Sequence, residues 1–132
     1  MLVKICGLTR QEDVSAASRF GADLCGFVFH PRSPRYIAPE RAGRLRSGTM
    51  RRVGIFVEQR AEEILRAMDA ARLDFAQLHG GQSAECAHAV GRSKIIRVIW
   101  PDRHYHRALL HNELQKFAPS CAMYLLDAGF SG

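Results

Sequence analysis

The sequence predicts an α/β fold in which parallel strands alternate with helices. Apolar runs rich in Val, Ile, Leu and Phe recur along all 132 residues, separated by amphipathic stretches. The apolar runs are nearly continuous, which is typical of parallel strands covered on both faces. A repeat of about 20–25 residues fits a series of βα units joined by right-handed crossovers.

The apolar runs predict six strands, and turn signals predict the helices between them. The strands are expected at residues 2–6, 24–29, 52–57, 74–78, 94–100 and 121–126. Thr9 is predicted to cap the first helix, and Gly21 is predicted to close it. Pro39 opens the second helix, where its missing N–H is tolerated. The other three helices are predicted over residues 61–71, from Ser83 to about Gly91, and over residues 104–117.

Two architectures accept six βα units, an open doubly wound sheet and a closed barrel. A closed (β/α)₈ barrel usually needs at least about 200 residues. The last residues, 129–132, read as a glycine-rich loop, whereas an open sheet would end more naturally in a covering helix. We therefore expect one domain over residues 1–132, a (β/α)₈ TIM barrel with about six βα units present and the last two missing. Its first and sixth strands would have unpaired edges.

The charge pattern argues against a nucleic-acid or membrane partner. The net charge is +6, but the basic residues do not form one block and aromatic residues are not interleaved with them. No apolar run approaches the roughly 20 residues that span a bilayer. A positive field would instead attract a small phosphorylated or carboxylated substrate. Five arginines are predicted to form a solvated face over the second helix and its exit: Arg41, Arg44, Arg46, Arg51 and Arg52.

The cysteine spacing argues against zinc and dithiol redox chemistry. The four cysteines form no C-x-x-C pair. Cys25, Cys86 and Cys121 lie in apolar patterns and are predicted to be buried packing residues. Unpaired thiols without a signal peptide favour the cytoplasm. The G-x-G-x-x-G, Walker and H-E-x-x-H motifs are also absent, so neither a nucleotide cofactor nor a metal is expected.

Cys6 and Asp127 are the strongest candidates for chemistry. Each directly follows an apolar strand and is close to a glycine, Gly7 or Gly129. Ligands of α/β proteins sit outside the carboxyl ends of parallel strands, where both side chains would lie. A thiolate and a carboxyl group there could act as base and acid on one substrate. From position alone, Cys6 also fits a small apolar strand end, and Asp127 also fits a turn cap.

Two further side chains are aimed at the same rim. Arg35 follows the second strand in a loop stiffened by two prolines, and its guanidinium could hold a carboxylate in bidentate fashion beside Tyr36. His79 ends the fourth strand. A surface arginine and a histidine bonded to a neighbouring loop are the plain alternatives.

Together these segments resemble the phosphoribosylanthranilate isomerase family, (β/α)₈ enzymes of tryptophan biosynthesis. Each segment is weak alone, but all follow the family's order and cover nearly the whole chain. The matching segments are residues 4–9, 21–23, 26–29, 33–37, 53–57, 77–80 and 125–128.

The resemblance implies an aldose–ketose isomerase that needs no cofactor or metal. Its reaction is the Amadori rearrangement of N-(5-phosphoribosyl)anthranilate to 1-(o-carboxyphenylamino)-1-deoxyribulose 5-phosphate. By the same resemblance, Asp127 is the general acid, Cys6 the general base, Arg35 the contact to the anthranilate carboxylate and His79 a rim residue near the substrate.

The resemblance also sets an expectation for the end of the chain. Family members continue past Gly132 with the units that bind the phosphate, so no residue here is assigned to that role. The alternative to an active isomerase is therefore a non-catalytic partial barrel that needs a partner chain or a C-terminal segment. Its open strand edges would favour self-association.

Overall fold

The computed structural model describes residues 1–101 and 106–128, and within them six strands alternate with five α-helices. The strands are β1 (Lys4–Cys6), β2 (Leu24–Val28), β3 (Arg51–Phe56), β4 (Phe75–Leu78), β5 (Ile95–Ile99) and β6 (Met123–Leu126). The helices are α1 (Gln11–Arg19), α2 (Pro39–Arg44), α3 (Ala61–Ala70), α4 (Ala84–Val90) and α5 (Arg107–Phe117). Short 3₁₀ turns precede β5 and β6, at Arg92–Lys94 and Ala118–Ser120.

The strands form one parallel sheet in sequential order, which is the order of a barrel. Each strand pairs with the next one along the chain, from β1 to β6. A doubly wound sheet would reverse direction at a switch point, and this sheet does not. The sheet is also curled. The curl brings Lys4 on β1 close enough to Gln77 on β4 to donate a hydrogen bond to it across the concave side. The prediction of a partial (β/α)₈ barrel is confirmed.

The curled sheet separates two apolar layers. The larger layer lies between the outer face of the sheet and the helices, with Phe27, Phe56 and Leu78 fully buried in it. The smaller layer fills the concave side around Val53 and Ile96. Since successive side chains point to opposite faces, every second residue of each strand faces the concave side.

The helix boundaries follow the predicted signals with one exception. The Ser83 hydroxyl accepts a hydrogen bond from the backbone N–H of Cys86, 3.2 Å away, as predicted for the cap of α4. Gly21 has a φ of +81° just after α1, a conformation that favours glycine. The predicted cap at Thr9 is wrong, because α1 begins one residue later, behind Arg10. The side chain of Arg10 does not cap the helix but pairs with Asp13 at 2.9 Å.

Two predictions fall partly outside the described residues. Helix α5 begins at Arg107, and positions 104 and 105 of the predicted helix are not described. The glycine-rich loop at 129–132 also lies outside the described part.

Helix α5 has 11 residues, and no helix in the described ranges is long and apolar enough to cross a membrane.

The prediction of a fully solvated arginine face is wrong for Arg52, which is only 8% exposed. Arg52 lies on the helix-covered face of β3, so its guanidinium reaches three backbone carbonyl oxygens at the ends of α2 and α3. These belong to Ala42, Leu45 and Ala71, at 2.6, 2.9 and 3.0 Å. A positive group at the carboxyl ends of two helices is stabilising, because it compensates the partial negative charge of both ends.

Apolar surface remains exposed beside β1. Ile5 is 41% exposed and Phe20, at the end of α1, is 90% exposed. Together with Val3 and Leu8 they line a groove of about 400 Å³ between β1 and α1. Within residues 1–101 and 106–128, the outer face of β1 is therefore less fully covered than the faces of the middle strands.

Candidate active site

Cys6 and Asp127 lie at the carboxyl-terminal edge of the sheet. Cys6 is the last residue of β1 and is exposed, and a Cβ added at Gly26 on β2 would lie 3.2 Å from its Sγ. Asp127 directly follows β6, and its backbone N–H donates to the carbonyl of Ile99 at 3.0 Å. By strand alternation Asp127 continues the concave-facing series of Leu125. Both side chains therefore belong to the concave side of one edge.

Lys4 connects these two candidates electrostatically. It precedes Cys6 by two residues, so both side chains occupy the concave face of β1. Burial lowers the pKa of the Lys4 ammonium, and attraction to Cys6 and Asp127 partly offsets that effect. A half-buried cation thus lies within reach of both the thiol and the carboxylate, where a low dielectric strengthens such interactions.

His79 is held between polar and aromatic neighbours. Gln77 Nε2 is 3.0 Å from His79 Nδ1, and His79 Nε2 is 3.7 Å from Asp127 Oδ2. The indole of Trp100, just after β5, meets the imidazole edge-on at 88°, with 5.4 Å between ring centroids. These contacts bring the ends of β4, β5 and β6 together around one histidine.

The Arg35 side chain lies over the turn that follows Cys6. A Cβ atom at Gly7 would lie 2.5 Å from Arg35 Cδ and 3.0 Å from Arg35 Nε. Gly7 itself has a φ of +80°, so this turn needs glycine for both its conformation and its space. Tyr36 instead lines a groove beside Phe29 and Arg66 on the helical side. The side chains of Arg35 and Tyr36, although adjacent in the sequence, therefore lie near different parts of the structure.

The remaining cysteines do not join the site. Cys25 and Cys121 are buried, as predicted, whereas Cys86 is half-buried. Burial raises the pKa of the Cys25 and Cys86 thiols, which disfavours thiolate chemistry there. In the part of the chain that is described, no group of three or more His, Cys, Asp or Glu residues could hold a metal ion.

Three neighbours of the site went unrecognised in the sequence: Lys4, Gln77 and Trp100. Lys4 and Gln77 each precede a candidate residue by two positions, and both are polar residues within apolar runs. That period of two places them on the same face of the strand as Cys6 and His79. A polar residue facing the interior of a strand is the signal that would have identified them.

The comparisons with known proteins agree on one family. The profile of N-(5'phosphoribosyl)anthranilate (PRA) isomerase matches residues 3–132. N-(5'-phosphoribosyl)anthranilate isomerase from Desulfovibrio desulfuricans is 64% identical over 132 residues, which is all of this chain and 63% of that protein. The chain thus spans less than two thirds of that relative.

Solved structures give the same result for the fold. Phosphoribosyl anthranilate isomerase from Thermotoga maritima is 36% identical, with a TM-score of 0.78 over 96% of this chain and 62% of that chain. A structure of phosphoribosyl anthranilate isomerase (PRAI) in complex with reduced 1-(o-carboxyphenylamino)-1-deoxyribulose 5-phosphate is 31% identical to this chain. It has a TM-score of 0.75 and covers 96% of this chain and 75% of that chain. Because the family profile matches residues 3–132, which is nearly all of this chain, the chain belongs to the N-(5'-phosphoribosyl)anthranilate isomerase family.

Proposed function

We propose that this chain supplies the acid and the base for the Amadori rearrangement of N-(5-phosphoribosyl)anthranilate. The observation that carries the proposal is that Cys6 and Asp127 both lie on the concave side of one sheet edge, where each attracts the Lys4 ammonium. An acid and a base are the groups that this isomerisation needs. A related structure binds the reduced form of the product, which supports the same substrate class for this chain.

In the first step, Asp127 in its protonated form donates a proton to the ribose ring oxygen. The C1–O bond breaks, the nitrogen lone pair forms a C=N bond, and the ring opens to a protonated imine. The ring oxygen leaves as a hydroxyl group. General acid catalysis of this kind contributes typically about 10²–10⁴-fold in rate.

In the second step, Cys6 as its thiolate removes the proton from C2 of the sugar. The electron pair of the C–H bond forms a C1=C2 double bond and neutralises the imine nitrogen, which gives an enolamine. Tautomerisation to the C2 ketone then completes the change from aldose to ketose. The positive imine makes that C–H bond acidic, so a thiolate is a sufficient base.

Arg35 is proposed to bind the anthranilate carboxylate. Its side chain lies over Gly7, directly after the proposed base, and a guanidinium can pair a carboxylate through two parallel hydrogen bonds. Such a contact holds ground state and transition state alike, so its loss should raise KM more than it lowers kcat.

Steady-state kinetics on single variants test these roles. The protein is measured in two forms, the 132-residue chain and the same chain extended by the C-terminal third of the Desulfovibrio desulfuricans relative. Cys6→Ala and Asp127→Asn should each lower kcat by about 10²–10⁴-fold. Arg35→Ala should act mainly on KM. The control, Arg41→Ala, changes an exposed arginine of α2 and should leave both constants unchanged. A near-normal kcat for Cys6→Ala would refute the proposed base.

The exposed groove beside β1 supports a second candidate function, a partial barrel that pairs with another chain. Sedimentation velocity over a range of concentrations measures self-association directly. Phe20→Lys places a charge in the groove and should weaken the association, whereas Leu109→Lys on the exposed side of α5 should not. A monomer at all concentrations, or equal effects of the two variants, would contradict pairing through this groove.

A further inference from the structure

A chain of polar contacts crosses the concave side of the sheet from β1 to β6. It starts at the Lys4 ammonium, passes through the Gln77 side-chain amide and the His79 ring, and ends at the Asp127 carboxylate. Gln77 is 3% exposed, so its polar atoms depend on these partners rather than on water. The chemistry of the first contact fixes the direction of every later one.

An ammonium group can only donate hydrogen bonds, so the Gln77 atom that faces Lys4 must be the carbonyl oxygen. The amide NH₂ of Gln77 then necessarily faces His79 Nδ1, 3.0 Å away. An NH₂ group can only donate, so Nδ1 must accept and cannot carry a proton in this arrangement. A neutral imidazole without a proton on Nδ1 carries it on Nε2.

His79 Nε2, which carries the proton in this arrangement, lies 3.7 Å from Asp127 Oδ2. This exceeds a hydrogen-bond distance, but catalytic contacts in unliganded sites are often long and shorten when substrate binds. The imidazole therefore presents a donor, and not a lone pair, to the carboxyl group.

We propose that Lys4 and Gln77 are positioning residues that hold His79 in the Nε2–H tautomer, so that His79 orients the carboxyl group of Asp127 for proton donation. The inference rests on the proposed function, because Asp127 matters as an acid only if the chain is part of the isomerase. The Nε2–H engages Oδ2 as an acceptor and leaves the transferred proton to Oδ1. The sugar ring oxygen would then receive that proton from a carboxyl group of fixed orientation.

Gln77→Glu is the sharpest test because it changes the hydrogen-bond direction while keeping the shape. The new carboxylate still accepts from Lys4, but it presents an acceptor to His79 Nδ1, so Nδ1 should become protonated. Long-range ¹H–¹⁵N correlation spectra distinguish a protonated from a bare ring nitrogen. We expect a bare Nδ1 in the unmodified protein and a protonated one in Gln77→Glu. Lys4→Met frees the amide to rotate and should give a mixture of the two tautomers.

The kinetic arm uses the extended form of the chain. Gln77→Glu and Lys4→Met should lower kcat by about 10–100-fold, the usual effect of losing an orienting partner, with KM changed less than about threefold. The matched control Gln115→Glu makes the same change on the exposed side of α5 and should alter neither the spectrum nor kcat.

The results separate the positioning role from the proposed function. A protonated Nδ1 in the unmodified protein, or a bare Nδ1 in Gln77→Glu, would overturn the tautomer assignment whatever the activity. The expected spectra with an unchanged kcat in Gln77→Glu would overturn the positioning role alone. If the unmodified extended form lacks isomerase activity, the proposed function fails and the role in orienting an acid fails with it.

Discussion

The buried guanidinium of Arg52 is predicted to be a major source of stability, and Arg52→Met tests this. The substitution keeps most of the side-chain volume but removes the guanidinium, whose carbon lies 4.8 Å from the centroid of the Phe27 ring. It removes the three hydrogen bonds to backbone carbonyls at the ends of α2 and α3. The carbonyls of Leu45 and Ala71 then lose this donor, whereas the carbonyl of Ala42 still accepts the backbone N–H of Leu45 at 3.0 Å.

The magnitude follows from opposing effects. A hydrogen bond to a charged group contributes about 1.5–3 kcal/mol, so three such bonds are a large stabilising contribution. Burial of the cation costs free energy, as its lowered pKa indicates, and methionine removes that cost. We expect a net decrease in the free energy of unfolding of about 3–5 kcal/mol, typical of breaking a buried polar network. Arg52→Lys should lose about 2–3 kcal/mol, because an ammonium lacks the planar fork that reaches three acceptors.

Urea unfolding of the extended form, followed by far-ultraviolet circular dichroism, gives these free energies. Arg41→Met is the matched control, an exposed arginine on α2 that should change stability by less than about 0.5 kcal/mol. A loss below about 1 kcal/mol for Arg52→Met, or an equal loss in the control, would refute the reasoning.

Two further predictions concern the packing around Cys6 and the reactivity of its thiol. Gly26→Ala adds a Cβ atom 3.2 Å from both Cys6 Sγ and Ile55 Cδ1, and displacing the base should lower kcat by about tenfold or more. Gly81→Ala, where nothing lies within 4 Å, should leave kcat unchanged, and similar kinetics for the two variants would contradict the packing argument. Peptide mapping after thiol labelling at pH 8 should find exposed Cys6 modified first. Cys25, whose pKa is raised by burial, should react only after denaturant is added, and its early labelling would show that the outer layer opens.

Much of the fold can be predicted from local sequence patterns. Nearly continuous apolar runs mark all six strands. In the four middle strands, β2 to β5, almost every residue is buried, because strands covered on both faces need no polar alternation. Pro39 and Ser83 mark helix starts because each satisfies a local backbone requirement, and Gly21 marks a helix end for the same reason. The prediction that Thr9 caps α1 fails, because a threonine one position before the true N-cap gives the same sequence signal as a threonine at the N-cap.

The candidate residues at the strand ends are also visible in sequence, since Cys6 and Asp127 directly follow apolar runs. Their partners are not, because they come from other strands. The contact from Lys4 to Gln77 exists only because the sheet curls, and that curvature accumulates over four strands.

The sequence by itself therefore determined the order of the elements and the residues that end the strands, since both depend on neighbours along the chain. Only the tertiary structure decided which polar groups meet. Arg52 becomes a buried donor to two helix ends instead of a solvated charge, and Gln77 becomes the link between Lys4 and His79. The physical reason is that hydrogen-bond direction and burial depend on distances between strands and helices that are far apart in sequence.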